Sequence, residues 1–150
     1  MKHLLRALAG ALFACAFTAN TAFAQVAISG NYYEEYANVT CASSSLSCFV
    51  VFTALPQNTL ITDVSCQAGI QQIPYLSYLA VSDVANGSGI TRRLNHFPMT
   101  QMILLNGNYS FETVFQTKFL FGAGKWPIIV LQFNAANNGF LHCKIVGTLQ

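Results

Sequence analysis

The chain has 150 residues, of which 53% are hydrophobic and only 8% charged, and seven Lys and Arg face five Asp and Glu. That balance excludes the clustered basic face of a nucleic-acid binder. The length suits one domain with a core of its own.

Residues 1–24 read as a secretory signal. Lys2, His3 and Arg6 make a basic start, an apolar run follows to Phe17, and Ala22-Phe23-Ala24 is a small-x-small cleavage site. The run is shorter than the roughly 20 residues a spanning helix needs. Cys15 invites a lipoprotein reading, but Phe13 is bulky where such sites prefer a small residue. The expectation is a bacterial protein, periplasmic or secreted, with residues 25–150 as one domain and no membrane span after cleavage. Lys2 and Arg6 leave with the signal. Arg92, Arg93, Lys118, Lys125 and Lys144 then balance Glu34, Glu35, Asp63, Asp83 and Glu112. A near-neutral surface of Ser, Thr, Asn and Gln leaves little repulsion between copies, so a homo-oligomer or a partner surface is expected.

Residues 26–29 predict a short strand and 32–40 a second, with Gly30-Asn31 between them. Residues 41–47 read as a serine-rich loop. From Cys48 to Cys66 the β-branched and aromatic residues predict two strands forming a hairpin around Pro56-Gln57-Asn58. Residues 75–84 are apolar on both faces, as in a strand buried between layers. Asn86-Gly87-Ser88-Gly89 is a turn, 91–97 a strand stopped by Pro98, and 102–105 a short strand before the hairpin signal Asn106-Gly107-Asn108. Tyr109, Phe111, Thr113 and Phe115 then alternate with Ser110, Glu112, Val114 and Gln116, the period of a half-buried strand. Residues 118–121, 128–134 and 140–149 complete the set. The last places Leu141, Cys143, Ile145 and Leu149 on the core side.

Four cysteines remain after cleavage, an even set in a short exported chain, which reads as two disulfides. Three pairings are possible. We expect Cys41–Cys48 around the serine-rich loop and Cys66–Cys143 tying an early strand to the last, as a bridge between packed layers. No C-x2-C spacing supports zinc. Short strands at regular spacing with Gly, Asn and Pro turns predict an all-β fold: a disulfide-stapled antiparallel β-sandwich, jelly-roll-like, with a small β-barrel as the alternative.

The catalytic constellations fail. Ser88 lacks a G-x-S-x-G elbow. His96 and His142 stand among apolar neighbours, and Glu34-Glu35 point to opposite faces of a strand, so each acid is expected at the surface. Gly122-Ala123-Gly124-Lys125 has Trp126 where a phosphate loop needs Ser or Thr. No cofactor or metal is expected. Two groups are candidate binding residues: Arg92, Arg93 and His96 as the densest basic cluster, and Trp126 with Lys125 as an aromatic platform for a sugar ring.

The cysteine-opened segment 48–53, Leu55-Pro56, the run 60–66, residues 93–98, the turn 122–127 and the closing 143–147 together resemble a group of short exported bacterial β-sandwich proteins of unknown function. The resemblance covers most of the mature chain. It implies a disulfide-stapled sandwich and no catalytic residue. The expected function is non-enzymatic surface binding of a glycan or protein, or self-association. The alternatives are a structural envelope component and a hydrolase of extracellular polymer using acids brought together by folding.

Overall fold

The computed structural model describes residues 24–105 and 107–150. The expected signal, residues 1–24, lies outside the described residues except for Ala24, and so does Asn106 of the expected hairpin turn. Among the described residues eight strands follow one another: β1 (Gln25–Ser29), β2 (Tyr32–Val51), β3 (Thr59–Ile70), β4 (Leu76–Ser82), β5 (Ile90–His96), β6 (Thr100–Leu105), β7 (Asn108–Phe121) and β8 (Trp126–Leu149). They form one antiparallel sheet in the order β1-β2-β8-β3-β7-β6, with β4 on β8 and β5 on β4. The sheet is not closed. β1 and β6 stand at opposite ends of the order and no pairing joins them among the described residues, which corrects the barrel alternative.

β2 and β8 are far longer than ordinary strands because each doubles back. Thr53 donates its backbone N–H to Glu35 Oε1 at 2.7 Å, although 18 residues of straight strand span about 60 Å. The bend lies between Cys41 and Ser47, where the register with β8 shifts twice. The Cys41–Cys48 disulfide closes it with Cα atoms 5.1 Å apart. Bulges turn strands in this way because the extra residues break the ladder and sharpen the twist. The segment expected as a loop is therefore a bent strand. β8 turns beside it, and Gly139 is required there. Its φ is +149°, and a Cβ would lie 1.9 Å from the carbonyl oxygen of Gly69. Asn137, fully buried in the bend, accepts the N–H groups of Gln71 and Gln72 at 2.9 and 3.0 Å through Oδ1. The chain leaving β3 is thereby tied to the corner.

Two halves result. The long half holds β1, β3, β6, β7 and the outer parts of β2 and β8. The short half holds β4, β5 and the remainder of β2 and β8. One core contains residues of both: Tyr33, Val64, Leu141 and Ile145 from the long half, and Val50, Leu79, Ile129 and Leu131 from the short half. β5 meets β7 side chain to side chain along this junction. The Arg93 guanidinium lies 4.7 Å from the Phe119 ring centre, Asn95 donates to Thr117, and Phe97 stacks on Phe115 at 4.4 Å. Alternate residues of one strand thus engage alternate residues of the other.

Three further expectations are corrected. Residues 48–66 are not a hairpin, because β8 separates the two strands: Cys48 pairs with Leu131 and Cys66 with Cys143. The connecting segment crosses between halves, with Phe52 N–H bonding Pro127 O and Leu55 N–H bonding Lys125 O. The Cys66–Cys143 disulfide joins directly opposed residues of neighbouring strands, so it staples one layer rather than two. Residues 118–121 continue the strand begun at 108, and 128–134 runs on through the corner into 140–149, giving β7 and β8.

Candidate functional site: the outer face of the long half

The two halves differ in what covers their outer surfaces. On the short half Tyr78, Ala80, Ile128 and Val130 form a second buried cluster. The turn after β4 folds over its edge. A Cβ on Gly87 (φ +74°) would meet Ile128 Cδ1 at 2.7 Å and Val51 Cγ2 at 3.0 Å. The long half has no such cover among the described residues, and its outer face follows from register. Asn38, His142, Gln67, Glu112 and Thr100 form one row across five strands. Tyr36, Lys144, Ser65 and Val114 form the next, and Glu34, Val146, Asp63 and Gln116 the one after.

Three rings stand together on this face. Tyr36 meets His142 edge-on with centroids 6.1 Å apart, and Phe140 lies 4.7 Å from His142. The Phe140 ring is laid flat by its partner across the strands, since a Cβ on Gly69 would fall 2.4 Å from Phe140 Cε1. A ring over a strand glycine covers the exposed backbone that glycine leaves. Tyr36 is 38% and Phe140 43% exposed, so both keep a face open to solvent. Beside them a depression of about 180 Å³ is lined by Tyr36, Ser65, Gln67, His142 and Lys144 with the backbone at Cys143.

A second depression, about 450 Å³ and open, lies at the irregularity in β3 between Ile61 and Asp63. The extra residue there brings Thr62 and Asp63 into the same region, and the Thr62 hydroxyl donates to Asp63 at 2.7 Å. Gln116 and Lys118 border it.

Neither a protein-family model nor a curated protein matches this chain.

The residues singled out from the sequence lie elsewhere. Trp126 is half-buried at the start of β8, opposite Ser82, and its neighbour Lys125 pairs with Asp83 at 2.6 Å. Arg93 is held over Phe119, and His96 stands edge-on to Tyr78. The Arg92 side chain lies outside the described residues. Trp126 and His96 are four residues apart along β4, about 13 Å, and are not brought together. No group of His, Cys, Asp and Glu suited to a metal occurs among the described residues.

Of the acids, Glu34 and Asp63 share a row of the outer face with Val146 between them, so their backbones are about 10 Å apart. Glu34 accepts the Tyr32 hydroxyl. Glu35 corrects the expectation of a surface acid. It is fully buried, accepting the Tyr33 hydroxyl, Thr53 N–H and Thr53 Oγ1–H. Burial pushes its carboxyl above the ordinary carboxylate range, and the three donors work against that rise. Burial and the bond to Glu35 push the Tyr33 phenol up as well.

Proposed function

We propose that the protein is an exported, non-enzymatic, disulfide-stapled β-sandwich that binds carbohydrate through the outer face of its long half. The observation that carries this reading is the ring group Tyr36, His142 and Phe140 on the outer sheet face, with Tyr36 and Phe140 exposed, bordered by Ser65, Gln67 and Asn38. Sugar rings present C–H faces that pack on aromatic rings and hydroxyls that both donate and accept. Amide and hydroxyl side chains answer those hydroxyls in either sense. The two depressions lie on one face, which suits an extended polymer crossing several strands. The acids Glu34, Asp63 and Glu112 and the lysines Lys118 and Lys144 nearly balance there, which favours a neutral glycan over a strongly charged one.

The two disulfides fit an oxidising compartment, and no helix among the described residues is long and apolar enough to cross a membrane. The disulfides support a periplasmic or secreted protein.

A glycan array probed with the parent, with the double variant Tyr36→Ala/Phe140→Ala and with Trp126→Ala tests the reading. Parent and Trp126→Ala bind alike, and the double variant loses about tenfold or more in affinity. Loss confined to Trp126→Ala moves the site to that end of β8. An array flat for all three proteins contradicts carbohydrate binding.

Hydrolysis of an extracellular polymer is a second reading, favoured by Glu34 and Asp63 facing the same way. Soluble fragments released from a bound polymer, and abolished by Asp63→Asn with binding retained, select it.

A further inference from the structure

Among the described residues β1 is the outermost strand beside β2, and all five of its residues are exposed. Val26 stands opposite Glu35 and Ile28 opposite Tyr33, so both apolar side chains project on the core side of the sheet. Glu35 and Tyr33 are buried there, yet Val26 is 40% and Ile28 52% exposed. The short half does not reach over β1. The strand reads Gln-Val-Ala-Ile-Ser and has none of the devices that keep edges apart: no charge, no proline. β5, the edge of the short half, contrasts with it. β5 carries two arginines in sequence and commits Arg93 and Asn95 to β7.

We infer that β1 pairs antiparallel with β1 of a second copy about a two-fold axis at Ala27. In that register Val26 meets Ile28 of the other copy, Gln25 meets Ser29, and Ala27 meets itself. Apolar residues oppose apolar ones on the core side, small or polar ones oppose each other on the outer side, and no like charges are opposed. A slip of one residue sets apolar side chains against polar ones, and a slip of two sets Ile28 against Ala24 or Val26 against Gly30, so the centre at Ala27 pairs the apolar residues best. The near-neutral surface adds little repulsion. The pairing also joins two outer faces into one broad sheet, which raises avidity for a polymer. It does not depend on what that face binds.

Sedimentation velocity of the exported protein over a wide concentration series tests the inference, with V26K/I28K and Ala27→Cys as variants. The parent shows a reversible monomer–dimer equilibrium. The lysine variant weakens it roughly a hundredfold or more, because both symmetry-related apolar pairs are lost. Its thermal midpoint stays near the parent's, since both positions are exposed. Should the lysine variant misfold, Ala27→Cys decides: mild oxidation gives a 27–27 interchain disulfide identified by mass spectrometry. A parent monomeric at every concentration, a lysine variant that dimerises as tightly as the parent, or a missing 27–27 link overturns the inference. So does a monomer whose β1 amides resist hydrogen exchange, because the edge is then protected without a second copy.

Discussion

Glu35 is the residue where stability and pH meet. It binds a segment that is distant along the chain but close in the fold, and it does so from a fully buried position. Its carboxyl is raised by burial, so the folded state holds the proton more tightly than the unfolded chain does. The sign follows from linkage. This group's contribution is fully present below the unfolded carboxyl value of about 4.3 and is lost as pH rises through the raised folded value. Glu35→Gln keeps an acceptor for Thr53 N–H, and the two hydroxyls can turn to meet the new amide. Urea denaturation of parent and variant from about pH 4 to pH 7 is the check. The parent loses stability relative to Glu35→Gln as pH rises, and a constant difference between the two contradicts the assignment. The sequence could not show this burial. Adjacent glutamates in a strand do point to opposite faces, but which face is core depends on β2 doubling back to cover Glu35.

At the scale of elements, the two disulfides do different things. Cys41–Cys48 closes a corner in one strand, while Cys66–Cys143 links strands that neighbour each other in the sheet but stand far apart in sequence. Chain entropy makes the long closure worth about 4–5 kcal/mol and the short one about 2–3 kcal/mol. Replacing Cys66 and Cys143 by Ser therefore lowers global stability more than replacing Cys41 and Cys48, which chiefly speeds amide exchange at residues 41–47. Equal losses with no local change at the corner contradict this division. Strand positions were legible because period-two patterns and turn residues are local: β1, β4 and β5 begin and end within a few residues of where alternation places them. Partner choice was not legible. Residues 48–51 and 59–66 have hairpin composition, yet β8 lies between them, and nothing local records that insertion. Serines 43–45 looked like a loop because a bulged corner shares a loop's composition.

At the scale of the whole molecule, one face is spare among the described residues. Folding the sheet buries the inner face of the long half, the turn after β4 helps cover the outer face of the short half, and the outer face of the long half remains. Its ring group escaped a reading along the chain because Tyr36 is remote in sequence from Phe140 and His142 and joins them only through β2–β8 register. The signal that could have found it is the outward set of β8, where Phe140, His142 and Lys144 alternate with the buried Leu141, Cys143 and Ile145. The measurement that bears most directly on this assignment is an amide chemical-shift titration of the protein with a soluble, neutral oligosaccharide that the array identifies. Shifts concentrated on residues 36, 65, 67, 140, 142 and 144 are expected, with Trp126 and the buried core unmoved. A saturating titration that perturbs the Trp126 end instead, or leaves the outer face untouched, contradicts it.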